Sequence, residues 1–254
     1  MAGNAMLLAH YGAGCPSARA VLAAIEEEAR AALPGWEVRA AWTSAAFLRR
    51  AREAGEGIPG VPEALSALQA EGYDRVSIQP TLLHPGKSYT AVSAAAADFA
   101  GEFTAFKLGR PLLADEEDRA ALCRLLDREF PRGEDEALVL AGHAAGDGAF
   151  YAEVNALCAK LGLPRMLAGA LPDLDAVCGT LRTLAVRRVT LLPLLLTAGS
   201  HTARDIAGEG PESWRSLLAS EGYEVRAVPQ GLAELPGFRA RIAAAARETA
   251  LCLG

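Results

Sequence analysis

The chain has 254 residues, 51% hydrophobic and 22% charged, and its 31 acidic side chains against 25 Lys and Arg give a formal net charge of −6. This length suits one large domain or two domains of about 120 residues each, and the composition excludes a disordered chain. The negative charge argues against nucleic acid or an anionic membrane surface as the main partner. A small molecule is the partner that we expect.

The N-terminal segment, MAGNAMLLAHYG, has no Lys or Arg, and its apolar run is too short for a signal peptide or a membrane span. We therefore expect the protein in the cytoplasm, and a homo-oligomer is compatible with the sequence. The five cysteines are Cys15, Cys123, Cys158, Cys178 and Cys252. Their odd number and the lack of CxxC spacing predict neither a disulfide framework nor a thiolate zinc site. Most of them are interpreted as small core residues.

Short β-type runs alternate with alanine-rich helical runs along the chain, which is typical of βαβ units around a mostly parallel sheet. In the first part, strands are predicted at 6–9, 37–42, 75–82 and 103–108, and helices at 16–32, 44–54, 62–70, 88–100 and 115–129. In the second part, strands are predicted at 138–141, 166–170, 188–196 and 224–229, and helices at 150–161, 175–185, 212–220 and 237–252.

The polar segment 131–136 has a turn former and no apolar periodicity, and it is the predicted linker between a half at 1–133 and a half at 134–254. The pattern restarts after it: segments 75–86 and 188–199 match at Arg, Val, Pro, Leu, Leu and Gly with one constant offset. We predict an α/β protein with two pseudo-symmetric halves, each a roughly four-stranded parallel sheet flanked by helices. The last helix is free to pack back on the N-terminal half.

The four histidines, His10, His84, His143 and His201, all follow predicted strands. Ligands of open parallel sheets bind beyond the carboxyl ends of the strands, so the set predicts an inter-domain cleft lined with imidazoles. A single such histidine is more ordinarily a hydrogen-bonded loop residue. Imidazole titrates near neutral pH and binds borderline divalent metals such as cobalt, nickel and zinc.

Small residues surround two of these histidines, including Gly142 before His143 and Gly199 before His201. They either let a large flat ligand approach the backbone or serve a tight turn. The segment GAGCPS lacks the third glycine of a dinucleotide-binding loop, and GxxxxGK[ST], GxSxG and HExxH are absent from the sequence. We therefore expect no nucleotide cofactor.

These features resemble the anaerobic sirohydrochlorin cobaltochelatases, a family of class II chelatases related to ferrochelatase. The longest similar stretch is LLPLLLTAGSHTARDIAGEGPESW at 191–214, which resembles the family's Met-Pro-Leu-Met-x-Val-Ala-Gly-Asp-His-Ala-x-x-Asp-Met-Ala-Gly and its following Asp-Ser-Trp. Shorter similar stretches lie at 7–14, 40–49, 76–89 and 140–147. The resemblance covers almost the whole chain.

The resemblance implies insertion of Co²⁺ into sirohydrochlorin, or a closely related precorrin, for cobalamin synthesis without ATP; other divalent metals are compatible. It implies that the tetrapyrrole binds in the inter-domain cleft, with His143 and His201 as catalytic residues and metal ligands. The predicted substrate-binding residues are His10, Tyr11, Gly12, His84, Tyr89 and Ser200. Lys87 and Arg204 are candidates for the anionic groups of the ring.

The sequence departs from the family where the family has a third metal ligand, a glutamate. The corresponding segment, MLAGALPDLD, has Gly169 in its place, and Asp173, Asp175 or His10 is a candidate replacement. The histidine of the family's third-strand motif corresponds to Leu82, and the nearest histidine lies two residues later. Two other interpretations therefore stay open: a non-catalytic paralogue that binds tetrapyrrole or metal, and an unrelated small-molecule enzyme on the same fold.

Overall fold

The computed structural model describes residues 3–142, 147–199 and 202–253. Within these residues the chain forms eight β-strands and nine α-helices, numbered along the chain. The strands are β1 Gly3–His10, β2 Glu37–Trp42, β3 Tyr73–Pro80, β4 Ala105–Leu108, β5 Glu136–Ala141, β6 Met166–Gly169, β7 Arg188–Pro193 and β8 Glu224–Ala227. The helices are α1 Pro16–Ala32, α2 Ala45–Glu53, α3 Val61–Ala70, α4 Lys87–Phe99, α5 Glu116–Glu129, α6 Gly148–Lys160, α7 Leu174–Thr183, α8 Trp214–Ser220 and α9 Pro236–Leu251.

The chain divides into two compact units, Met1–Ala114 together with Pro236–Gly254, and Asp115–Leu235. Each unit has one parallel four-stranded sheet, with the order β2-β1-β3-β4 in the first and β6-β5-β7-β8 in the second. The second order is the first with four added to each strand number. The prediction of two pseudo-symmetric α/β halves with parallel four-stranded sheets is therefore confirmed.

The central strands are buried on both faces of each sheet. Every residue of β1 from Ala5 to His10 is buried, and so is every residue of β5 from Ala137 to Ala141. Parallel strands that are covered by helices on both sides have continuous apolar sequences rather than alternating ones. The short runs AMLLA and ALVLA therefore mark the middle of the two sheets.

Several helices begin where the sequence predicts, because a side chain there satisfies an open backbone N–H group. Ser44 Oγ accepts a hydrogen bond from the Phe47 N–H group at 3.3 Å, before α2. Asp115 Oδ1 accepts one from the Asp118 N–H group at 2.9 Å, before α5. Among the described helices, none combines the length and the apolar composition that crossing a lipid bilayer requires.

The predicted strand at 188–196 is too long, since β7 ends at Pro193. The apolar run continues because Leu194 is buried and Leu195 packs against the core of the second unit. The carbonyls of Leu195 and Leu196 accept hydrogen bonds from the N–H groups of Leu232 and Ala233, at 2.8 and 2.9 Å. Leu195 and Leu196 are thus bonded to a second segment of the same unit, whereas the Leu194 N–H group still donates to the Ala141 carbonyl of β5 at 2.8 Å.

The two units separate after Ala114, whereas the sequence placed the boundary at 133/134. Helix α5 belongs to the second unit because it packs on α6, where the Cys123 and Cys158 sulfurs lie 3.4 Å apart. The predicted linker 131–136 therefore lies within the second unit, between α5 and β5. A polar turn joining a helix to a strand has the composition of a linker, which is why the sequence pattern did not separate the two cases.

Helix α9 belongs to the first unit, although it is the last helix of the chain. Thr249 Oγ1 donates a hydrogen bond to Gln79 Oε1 at 2.7 Å, and both side chains are buried. Arg239 pairs with Glu28 on α1 at 2.8 Å. Gly109 leaves room for this contact, because a Cβ atom there would lie 2.6 Å from the Thr249 oxygen.

Candidate active site

Both predicted metal ligands belong to the sequence of the second unit, where His143 comes after β5 and His201 comes after β7. These two histidines and Ser200 lie outside the described residues. The structure describes the segments that precede them in the sequence, and each of these segments makes close contacts within the second unit. Three strand ends contribute: Gly142 after β5, Gly169 at the end of β6 and residues 194–199 after β7.

Gly142 precedes His143 and is packed against a buried tyrosine. Its N–H group donates to the Gly169 carbonyl at 2.8 Å, which extends the pairing of β5 with β6. A Cβ atom on Gly142 would overlap the Tyr151 hydroxyl and would lie 2.6 Å from Tyr151 Cε1. The missing side chain of Gly142 therefore makes room for Tyr151, and this explains the small residue without an approaching ligand.

Gly169 stands where the family has its glutamate, and its surroundings are filled. A Cβ atom there would lie 3.2 Å from Val177 Cγ2 and 3.4 Å from Asp173 Cβ. The Asp173 carboxylate lies near the same point, with Oδ2 at 3.8 Å from that Cβ position. Oδ2 also accepts a hydrogen bond from the Ala170 N–H group at 2.9 Å, which fixes Asp173 beside the end of β6. Asp175 is exposed in the first turn of α7.

The segment after β7 is held in place by contacts within the second unit. A Cβ atom on Gly231 would lie 2.6 Å from the Leu196 carbonyl oxygen and 2.5 Å from Thr197 Cα. Only glycine allows two stretches of backbone to approach so closely. Together with the two hydrogen bonds to Leu232 and Ala233, this contact fixes the path of residues 195–197 toward His201.

A short π-helical turn, Thr202–Ile206, follows the segment. Thr202 is buried, and among the described residues its hydroxyl has no hydrogen-bond partner. The same holds for the indole N–H group of Trp214, which is fully buried. Gly208 closes the turn, since a Cβ atom there would lie 2.5 Å from the Arg204 carbonyl oxygen. The exposed Arg204 side chain pairs with Asp205 at 2.6 Å, and this pairing raises the pKa of the guanidinium.

In the first unit, His10 ends β1 and is fully buried. Its Nδ1 atom lies 2.9 Å from Thr81 Oγ1, and that hydroxyl donates to the Ala9 carbonyl at 3.3 Å. Between His10 Nδ1 and Thr81 Oγ1 either atom can be the donor, according to which ring nitrogen carries the proton. Nε2 faces Glu26 Oε1 at 3.9 Å. Burial lowers the pKa of His10 to about 4, so the ring is neutral at neutral pH.

Tyr11 and Gly12 follow His10 at the surface of the first unit. The Tyr11 ring is 58% exposed, one of two large hydrophobic side chains that stand out in the described residues. Gly12 has φ +155° and packs on Phe47, whose Cβ atom would lie 3.0 Å from a Cβ on the glycine. The Arg19 guanidinium lies over the same Phe47 ring, 5.9 Å from the ring centroid. Phe47 therefore supports the turn that presents Tyr11.

His84 and Tyr89 lie after β3 and at the start of α4. His84 is half-buried, and its Cε1 atom would be 3.5 Å from a Cβ on Gly86. Tyr89 packs against the core of the first unit, and its hydroxyl donates to the Gly109 carbonyl at 3.4 Å. Leu82, which corresponds to the family's histidine, is buried in that core. The side chain of Lys87 is exposed.

The predicted residues fall into three groups. Tyr11 and Gly12 share one turn with the buried His10, His84 and Tyr89 flank the start of α4, and His143, Ser200 and His201 are outside the described residues. In the described part of the chain, no cluster of three or more His, Cys, Asp or Glu side chains is placed to hold a metal ion. Tyr151 and Thr202 were not predictable from the sequence, because a buried residue of a helix or turn has the same pattern whether or not it supports a site.

Comparison with known proteins identifies the family. The model of the cobalt chelatase family CbiK matches residues 4–250. The chain is 33% identical over 247 residues to a sirohydrochlorin cobaltochelatase CbiKC of Nitratidesulfovibrio vulgaris, covering 94% of this chain and 87% of that protein. It is 30% identical over 229 residues to a sirohydrochlorin cobaltochelatase of Salmonella typhimurium, covering 88% of this chain and 87% of that protein.

Among solved structures, SirB from Bacillus subtilis with Fe³⁺ is similar, with a TM-score of 0.66 and 16% identity over 98% of this chain and 96% of that one. At this identity the likeness concerns the fold. The family match extends over nearly all of the sequence, so it includes both four-stranded sheets and α9. The resemblance stated from the sequence motifs is confirmed: the chain belongs to the cobalt chelatase family CbiK.

Proposed function

We propose that this chain is a sirohydrochlorin cobaltochelatase, which inserts Co²⁺ into the sirohydrochlorin ring. The observation that carries this proposal is the family match over residues 4–250, with relatives of that activity at 30% and 33% identity along most of their length. In the second unit, the contacts of Gly142 with Tyr151 and of Gly231 with residues 196 and 197 shape the segments that precede the proposed ligands.

The proposed metal ligands are His143 and His201. Insertion requires that Co²⁺ lose its water ligands, that it be presented to one face of the ring, and that two pyrrole N–H protons be removed. Neutral imidazoles bind a borderline ion such as Co²⁺, and each can accept a proton as the ion leaves. Co²⁺ is thus a substrate, and we expect the reaction to need no nucleotide.

We further propose that Asp173 supplies the carboxylate that the family's glutamate provides. Its side chain fills the space next to Gly169, where the glutamate side chain of the family would start. One carboxylate oxygen accepts a hydrogen bond from the Ala170 N–H group, and a carboxylate has a second oxygen that can bind a cation or accept a proton. Asp175 is exposed on α7, and His10 is buried in the first unit, so neither has this placement.

The proposed ring-binding residues are Tyr11, Gly12, His84, Tyr89 and Ser200. Tyr11 is the best supported of those described, because its exposed aromatic ring offers a flat apolar surface. His10 has no exposed surface, and we assign it the role of positioning the Tyr11 turn from beneath. The exposed Lys87 and Arg204 side chains are suited to carboxylate groups of the ring.

Purified protein incubated with sirohydrochlorin and Co²⁺ tests this function, with absorbance of the ring as the readout. We expect conversion to the cobalt complex much faster than in a protein-free control. The missing glutamate favours one alternative, a paralogue that binds the ring without inserting metal. A ring spectrum that shifts on binding, with insertion no faster than in the control, would support that alternative and overturn the proposal.

A further inference from the structure

Helices α5 and α6 of the second unit hold two cysteines face to face. Cys123 and Cys158 are each about 1% exposed, and their sulfur atoms lie 3.4 Å apart. A third cysteine of the same unit, Cys178, is buried in α7. A thiol pair in hydrogen-bond contact is one oxidation step from a covalent bond.

The contact between the two helices is fixed by further pairs. Lys160 Nζ lies 2.5 Å from Glu116 Oε1, and Arg119 lies 3.2 Å from Glu153, so ion pairs join α5 to α6 near the thiols. On its other side α6 is bonded to β6. Asn155 accepts from the Ala168 N–H group at 2.6 Å and donates to the Ala168 carbonyl at 2.9 Å. The thiols therefore meet at a junction that is ordered independently of them.

The pair is chemically asymmetric. The hydrogen bond from the Cys158 thiol lowers the pKa of Cys123, and the same contact, with burial, raises the pKa of Cys158. The thiolate is the nucleophile, and a lowered pKa favours it at Cys123, with the Cys158 sulfur 3.4 Å away.

We propose that Cys123 and Cys158 form a reversible disulfide that joins α5 to α6 when the protein meets a hydroperoxide. The Cys123 thiolate attacks one peroxide oxygen, the O–O bond breaks, and a sulfenic acid forms as the first water leaves. The Cys158 sulfur then attacks the Cys123 sulfur, the S–S bond forms, and the hydroxyl leaves as a second water. The two thiols lose two electrons, and hydrogen peroxide gains them.

The site is independent of the proposed chelatase activity, because it uses neither the strand ends of the second unit nor the predicted ring-binding residues. Its effect is on the second unit itself. Linking residues 123 and 158 closes a loop in the unfolded chain and so stabilises the folded one. We expect the melting temperature of the intact protein to rise by several degrees on oxidation and to return after dithiothreitol.

Peptide mapping tests the pairing. The folded full-length protein is treated with hydrogen peroxide, denatured, alkylated and digested with trypsin. We expect peptide 120–124 linked to peptide 133–160, with the mass of the sum less two hydrogens, and its loss after reduction. Recovery of both peptides alkylated, or carrying added oxygen without the link, would overturn the proposal. The same treatment in guanidinium is the control, and equal linking there would show that the fold contributes nothing.

Matched variants separate the pair from general cysteine chemistry. Cys158→Ala keeps a small apolar side chain at a buried position and is expected to lose the oxidation-dependent rise in melting temperature. Cys178→Ala removes another buried thiol of the same unit and is expected to keep that rise. If Cys158→Ala does not fold, Cys123→Ala gives the same comparison from the other helix. A rise that persists in either pair variant would contradict the inference.

Discussion

The Tyr151 hydroxyl occupies the space in which a side chain on Gly142 would begin. Gly142 is the last described residue before His143, and it continues the pairing of β5 with β6 through its hydrogen bond to Gly169. A buried phenol in the first turn of α6 thus sets the position of the backbone that leads into a proposed metal ligand. This relationship makes Gly142 a sensitive position for both stability and activity.

We predict that Gly142→Ala lowers the free energy of unfolding by about 1–3 kcal/mol, because the new methyl group overlaps the Tyr151 hydroxyl. The rate of Co²⁺ insertion should fall by more than the loss of folded protein accounts for, because the backbone that leads into His143 shifts. Urea denaturation and the insertion assay measure the two effects. Gly148→Ala is the control, because a Cβ there lies within 4 Å of no atom of the described residues. Equal behaviour of the two variants would refute the role of Tyr151.

A second prediction concerns Asp173. Asp173→Asn keeps an oxygen that can accept the Ala170 N–H group, so the fold should persist. It removes the negative charge, and we expect the rate of Co²⁺ insertion to fall at least about tenfold. Asp175→Asn, on the exposed face of α7, is the matched control and should keep the wild-type rate. Equal rates in both variants and the wild type would exclude both aspartates as the replacement for the glutamate.

A third prediction follows from Gly231, which touches the backbone of Leu196 and Thr197. Gly231→Ala must push the two segments apart, because the neighbouring atoms belong to backbone and cannot rotate away. We expect a loss of insertion activity together with a lower melting temperature. Gly210→Ala serves as the comparison, since within the described ranges its Cβ would have no neighbour closer than 4 Å. Full activity of Gly231→Ala would show that the position of the segment after β7 does not depend on its contact with Gly231.

The fourth prediction is the pH dependence that His10 gives to stability. Its pKa is lowered from 6.5 to about 4 by burial in the folded protein, so between these values the unfolded chain binds the proton and the folded chain does not. Stability is then full above pH 6.5 and is lost as the pH falls toward 4, by about 3 kcal/mol for this group. The facing carboxylate, Glu26, does not overcome the cost of burial.

Chemical denaturation between pH 4 and pH 7 measures this dependence. His10→Gln should be less stable at pH 7, because it changes a fully buried side chain, and it should lose part of the decline between pH 6.5 and 4. His84→Gln, at a half-buried position, controls for the removal of a histidine and should keep the wild-type slope. An unchanged slope in His10→Gln would contradict the assignment of the proton to the unfolded state.

The sequence predicted the fold well for a physical reason. Parallel strands buried on both faces, such as β1 and β5, require continuous apolar runs, and the repeat of the pattern identified the second sheet. The division of the two units was misplaced because α5 packs on α6 through Cys123 and Cys158, which no local pattern reveals. Packing partners that are distant along the chain decide such boundaries.

The candidate site was predictable only in part. The strand ends could be located, since small residues and histidines follow apolar runs. The burial of His10 was not predictable. A histidine that follows a strand is exposed or buried according to the side chains that cover it, and here Thr81 and Trp42 cover it. The contact of Gly142 with Tyr151 was not predictable either. A glycine looks the same in the sequence whether a ligand or a tyrosine side chain occupies the space beside it.

We propose that His143 and His201 hold Co²⁺ while it enters a tetrapyrrole. The most direct test is the initial rate of Co²⁺ insertion into sirohydrochlorin by the wild type, His143→Ala and His201→Ala, with circular dichroism to verify that each variant is folded. We predict insertion well above the protein-free rate for the wild type and none above it for either folded variant. Wild-type rates in either variant would contradict the assignment of that histidine.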